Sequence, residues 1–103
     1  MAGSIQVKIT SMSAPVFGDH TAIVNVTSLN NYKGQVQMTY NPDTASVVTP
    51  SGGPPPGGEA ITLSAGQSID RTVVFSAASS GTFTATGSAD NNTTGQDTAP
   101  YTV

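Results

Sequence analysis

The chain has 103 residues, of which 9% are charged, with a net charge of −3 at pH 7 and no cysteine. Typical soluble domains are about 25% charged, so uncharged polar groups must cover this surface. Without cysteine there is no disulfide and no thiolate metal site, and the three cations Lys8, Lys33 and Arg71 stand singly rather than in the clusters that nucleic acid or an anionic membrane requires.

The hydrophobic pattern is almost entirely of period two, the signature of half-buried strands. "SIQVKIT" (4–10) puts Ile5, Val7 and Ile9 on one face, and "TAIVNVTS" (21–28) does the same with Ala22, Val24 and Val26. "GQVQMTY" (34–40) alternates Val36, Met38 and Tyr40 with polar residues. "SVV" (46–48) and "AITL" (60–63) are shorter candidates. "SIDRTVVFS" (68–76) aligns Ile69, Val73 and Phe75, with Arg71 on the same parity. "GTFTATGSA" (81–89) sets Phe83 and Ala85 against a row of threonines, and "APYTV" (99–103) closes the chain. No window has the period of an amphipathic helix, and β-branched residues and glycine are too frequent for one.

Turn signals separate these segments: "APVFGD" (14–19), "LNNYKG" (29–34), "NPD" (41–43), "SAGQ" (64–67), "AASSG" (77–81) and "DNNTTGQD" (90–97). Gly34, Gly66, Gly81 and Gly95 are placed to supply positive φ. Seven to eight short strands at this spacing predict an all-β fold, an antiparallel β-sandwich. Its expected core is Ile5, Val7, Val24, Val26, Val36, Met38, Leu63, Val73, Phe75, Phe83 and Ala85.

"TPSGGPPPGGEA" (49–60) holds four of the seven prolines. As a linker it would leave two pieces of about fifty residues, near the limit at which a core sustains itself without disulfides or metal. The expectation is therefore a single domain, residues 1–103, with a projecting loop at 49–60. "PPP" favours a stiff polyproline II segment, with "GG" hinges on either side. Such a loop is either a partner contact or a tolerated surface insertion.

"VTSLNNYKGQVQMTY" followed by "ITLSAGQSIDRTVVFSAASSGTFTATGSA" resembles the immunoglobulin-like repeats of secreted bacterial and archaeal proteins. Gly34, Val36 and Met38 fill a G-x-V-x-L pattern. Leu63, Gly66 and Ser68 fill L-x-x-G-x-S, and Gly81, Phe83 and Ala85 fill G-x-Y/F-x-V/A. The resemblance implies an Ig-like sandwich serving as spacer, adhesion module or accessory domain, and similar folds decorate phage capsids and tails. The proline insertion departs from the pattern. The chain also lacks the Cys–Trp–Cys core of antibody domains, so no antigen-receptor role is implied.

Catalytic chemistry has little to stand on. His20 is the only histidine, no serine lies in a G-x-S-x-G elbow, and the carboxylates Asp19, Asp43, Glu59, Asp70, Asp90 and Asp97 are isolated. His20 reads as an exposed strand-end residue beside a turn aspartate. Asp90, Asn92, Thr94 and Gly95 match positions 1, 3, 5 and 6 of a calcium loop, but position 12 falls on Tyr101 where a glutamate is required. Asp90, Asn92 and Thr94 are thus a weak calcium candidate beside the plainer reading of a hairpin turn. No cofactor is expected.

Phe17 and Tyr32 lie in turns, where an aromatic ring either offers a binding platform or folds back to cap the sandwich. The expected contacts with a protein partner are Pro54, Pro55, Pro56, Phe17 and Tyr32, together with Pro100 and Tyr101 on a terminal edge strand. "MAGSIQVKIT" has no secretory pattern. The functional expectation is a non-enzymatic interaction module on an assembled outer surface, virion or extracellular, whose partner is a capsid or copies of itself. The alternative is a spacer or polysaccharide-binding module of a secreted protein.

Overall fold

The computed structural model describes residues 3–13, 18–43, 45–47 and 58–103. The described residues form eight strands: β1 (Ser4–Met12), β2 (Asp19–Leu29), β3 (Gly34–Pro42), β4 (Ala45–Val47), β5 (Glu59–Leu63), β6 (Ser68–Ala77), β7 (Gly81–Ala89) and β8 (Thr94–Tyr101). They make two four-stranded sheets, ordered β1-β2-β6-β4 and β5-β3-β7-β8, and every pairing is antiparallel. The fold is an all-β sandwich, as the alternation predicts.

Every residue of the expected core is buried, and Ala22, Tyr32, Tyr40, Ala89 and Tyr101 join it. Strands on both sides of segment 48–57 contribute to this one core. That segment, with most of the anticipated proline loop, lies outside the described residues, whereas Glu59 and Ala60 already belong to β5.

One end of the core is a column of rings. His20 stacks on Phe75 with centroids 5.1 Å apart and planes at 7°, and Phe75 stacks on Phe83 at 5.1 Å and 3°. Tyr101 meets Phe75 edge-on at 4.8 Å. The column ties β2 and β6 of one sheet to β7 and β8 of the other, and ring pairs of this kind add to the area they bury.

The largest departure from the sequence reading is β8. It begins at Thr94, inside the stretch taken as the turn "DNNTTGQD". Its half-buried positions are Gly95, Asp97 and Ala99, with no large apolar side chain to reveal a strand. The cause is β1, which runs close beneath. A Cβ on Gly95 would stand 3.1 Å from the Val7 amide nitrogen and 3.3 Å from the Ile5 carbonyl oxygen. Asp97 uses the same proximity, accepting the Ile9 amide at 2.7 Å. The β1–β2 register shifts between Ile9 and Ser11, and Ile9, on the same face as Ile5 and Val7 by alternation, is only half-buried.

Turn chemistry follows the sequence in part. Gly34 and Gly66 take positive φ, but Gly95 lies within a strand, and Asn30 and Asn31 carry left-handed conformations at φ 54° and 63°.

Candidate interaction surface

The anticipated contact residues separate into three groups. Pro54, Pro55, Pro56 and Phe17 lie outside the described residues. Pro100 is exposed near the end of β8, opposite Thr82 of β7. Tyr32 and Tyr101 are each only 3% exposed, so neither ring is a platform. Tyr101 belongs to the aromatic column.

Tyr32 folds back and caps the sandwich. Its hydroxyl lies 2.7 Å from the Gln35 carbonyl and 2.8 Å from Asp90 Oδ1, with one proton to share between them. Burial, then the bond to Asp90, raises its pKa above the ordinary tyrosine value. Buried Ser28 donates its hydroxyl to the Tyr32 carbonyl at 2.6 Å and accepts the Gly66 amide at 3.2 Å, knotting two turns together.

The weak calcium candidate lies in the same end. Asp90 directs Oδ1 to Tyr32 and Oδ2 to the Gln35 amide, 3.3 Å away. Asn92 sits at φ 69°, the left-handed turn conformation, and Thr94 opens β8. Among the described residues no three His, Asp or Glu side chains converge as metal ligands would.

His20 corrects the sequence reading. It is not exposed at a strand end but wholly buried, on the inner parity of β2 with Ala22, Val24 and Val26. Neither ring nitrogen has a hydrogen-bond partner among the described residues. In this setting the imidazole packs as a third ring on Phe75.

A polar cluster that the sequence did not announce joins the sheets. Arg71, on the inner face of β6, makes a two-pronged pair with Glu59 at the start of β5: Nε to Oε2 and Nη2 to Oε1, both 2.7 Å. Tyr40 of β3 donates its hydroxyl to Glu59 Oε2 at 2.8 Å. The pair is half-buried, at 26% and 13% side-chain exposure. Forked Arg–carboxylate geometry fixes orientation as well as charge, so the cluster holds β5 and β6 in one arrangement across the sandwich.

Burial, and secondarily the bond to Glu59, raises the Tyr40 pKa above its ordinary 10.0. The folded state therefore retains this proton at a pH where the unfolded chain has lost it. The associated stability is complete below pH 10.0 and is lost as pH rises beyond it. Tyr40→Phe is expected to flatten part of the alkaline fall in melting temperature, Tyr32 supplying a further part. Melts from pH 8 to about 11 check this; an alkaline slope unchanged in Tyr40→Phe contradicts it.

The four sheet edges are treated unequally. The edges of β1 and β8 lie against each other, with the β1 register shift and the Asp97–Ile9 bond between them. Asn91 donates to the Gly3 carbonyl at 2.9 Å along the same seam. Among the described residues edge β4 has three residues, paired with Phe75–Ala77 of β6, and beyond them β6 carries Asp70 and Arg71. Short strands, shifted registers and charges are the usual protections of an edge. Edge β5 has five residues in continuous register with β3 and no proline, lysine or bulge. Its one charge, Glu59, is neutralised by Arg71.

The outer face of sheet β5-β3-β7-β8 is free of charge. Its exposed positions include Gln35, Gln37 and Thr39 on β3, Thr82 on β7, and Gln96 and Thr98 on β8. The chain matches no protein-family model, no curated protein and no solved structure.

Proposed function

We propose that the chain is a non-enzymatic interaction module of immunoglobulin-like type that works on an assembled outer surface, most concretely as a virion decoration protein. The observation that carries this is how polar side chains are used. His20 is stacked in the core, Glu59 and Arg71 neutralise each other, and Asp90 and Asp97 satisfy backbone and hydroxyl groups of the fold itself. What remains for a partner is backbone at an edge, loops, neutral faces and isolated surface charges such as Lys8 and Lys33. The sheet partition supports the Ig-like description. Taking β1, β2, β6 and β4 as A, B, E and D, and β5, β3, β7 and β8 as C′, C, F and G, gives the spatial order of that fold. One departure is that β4 precedes β5 in the chain, so D comes before C′.

The test is co-sedimentation of the tagged chain with particles from the culture that produces it, for the parent and for a deletion of Pro54–Pro56. The expected result is particle-bound parent, and a deletion with unchanged melting temperature and reduced occupancy. Parent protein that never enters the particle fraction contradicts the reading.

The polysaccharide-binding alternative is favoured by the charge-free hydroxyl and amide face, which suits a neutral glycan. It is opposed by the absence of aromatic platforms there.

His20 supplies a test of the non-catalytic part. His20→Phe removes two nitrogens that have no partner among the described residues and keeps a ring, so stability should hold or rise slightly. His20→Ala should cost about 2–4 kcal/mol through the cavity beside Phe75. Partner binding should survive His20→Phe, and a hydrolytic activity abolished by that change in a folded protein would contradict the assignment.

A further inference from the structure

The geometry points to edge β5 as a self-pairing site: we propose that two copies of this chain join through antiparallel β5–β5 pairing about a two-fold axis, with Ile61 opposite its own copy. This rests on the interaction-module reading and names the partner for one of its surfaces.

Backbone direction comes first. Asp90 N donates to Gln35 O at 3.1 Å, so the backbone groups of Gln35 face β7. Along an antiparallel ladder these directions alternate residue by residue. The backbone groups of Val36 and Met38 therefore face β5, and those of their partners Ile61 and Glu59 face β3. Ala60 and Thr62 present their N–H and C=O groups outward. No strand among the described residues pairs with that side of β5.

These four groups fit a second copy of themselves. With Ile61 opposite Ile61 of the other copy, Ala60 stands opposite Thr62 and Thr62 opposite Ala60. Each such pair exchanges two hydrogen bonds, so all four outward groups are satisfied. Glu59 falls opposite Leu63, so no like charges meet, and its carboxylate is already occupied by Arg71 and Tyr40. Ala60 and Thr62 are exposed, small and uncharged, and offer no steric or electrostatic barrier. An isologous contact of this kind closes at two copies. Five residues of edge bury less than a standard interface, so the dimer is weak and concentration-dependent. Arrayed on a surface, where local concentration is high, a weak edge contact is sufficient to link neighbours.

The register makes a charge-swap test available. Ala60→Glu/Thr62→Glu puts carboxylates directly opposite each other in both cross-strand pairs, and Ala60→Lys/Thr62→Lys does the same with ammonium groups. In the monomer these positions face only Gln37 and Gln35 across the ladder, so both variants should fold. Sedimentation equilibrium from about 10 μM to about 1 mM, the range of weak complexes, measures association. The parent is expected to dimerise, and each double variant alone to associate at least about tenfold more weakly. Mixing the two double variants should restore association. Melting temperatures report folding, and should either double variant fail to fold, Thr62→Pro, which removes an outward N–H and leaves the bonds to β3 in place, takes its place against the parent. A parent monomeric at every concentration overturns the proposal. So does a dimer that both charged variants keep, because it would use another surface. A monomeric parent that still co-sediments with particles overturns self-pairing alone and leaves the interaction-module reading standing.

Discussion

Phe75→Ala is expected to cost about 3–5 kcal/mol, out of the 5–15 kcal/mol that holds a domain together. Phe75 is fully buried and central to the ring column, stacked with His20 and with Phe83 and in edge contact with Tyr101. Removing it opens a cavity between the sheets and strips three neighbouring rings of a partner. Backbones pinned by β2, β4 and β6 pairing leave little room for collapse into that space. Melting temperature should fall by roughly 15–30 °C. Phe75→Leu keeps most of the volume and should lose about half as much or less. A loss below 1 kcal/mol for Phe75→Ala in chemical denaturation would mean that the column is not a centre of stability.

Gly95→Val should be nearly as damaging at a position that looks like a harmless turn glycine. Even a Cβ there meets the Val7 amide nitrogen at 3.1 Å, the Val7 Cγ2 at 3.1 Å and the Ile5 carbonyl at 3.3 Å. Two of the three are backbone atoms, which cannot swing aside as the end of a side chain can. A branched side chain must therefore push β1 and β8 apart, stretching the Asp97–Ile9 bond and the Asn91–Gly3 bond along the same seam. The expected cost is about 1–3 kcal/mol from overpacking, with further loss if the Ile9 amide is left unsatisfied. Gly95→Ala tests the smaller intrusion and should fall between parent and valine variant. Thermal melts of the three proteins in rank order check this; a valine variant as stable as the parent contradicts the close approach.

The two large-effect positions show what period and composition can reveal. Phe75 was legible because it shares the parity of Ile69 and Val73, and a strand with one dry face advertises itself. The start of β8 was not, because β1 approaches so closely that β8 itself carries no large apolar side chain there. A strand whose first inner residues are Gly95, Asp97 and Ala99, before Tyr101, has little hydrophobic alternation to read.

His20 carried a usable signal. It is two residues before Ala22 and in phase with Val24 and Val26, which places it inside wherever the strand extends that far. Arg71 carried one too, standing on an inner parity where a lone cation needs a partner. That its partner is Glu59, across the sandwich, depends on which strands form which sheet. Pairing within a segment is local, whereas contacts such as Tyr32 to Asp90, 58 residues apart, exist only once the sheets have packed. The neutral composition did foretell the neutral outer face. It did not foretell which edge would be left open, since that follows from strand order.

Amide hydrogen exchange of the dilute parent protein tests this account most directly, because it reads each edge separately. The predicted result is a protected Ile9 amide, held by Asp97, a protected Ile61 amide, held by β3, and rapid exchange at Ala60 and Thr62. Ala60 and Thr62 amides as protected as Ile61 in the dilute monomer would contradict it, because edge β5 would then be closed and have nothing to offer a partner.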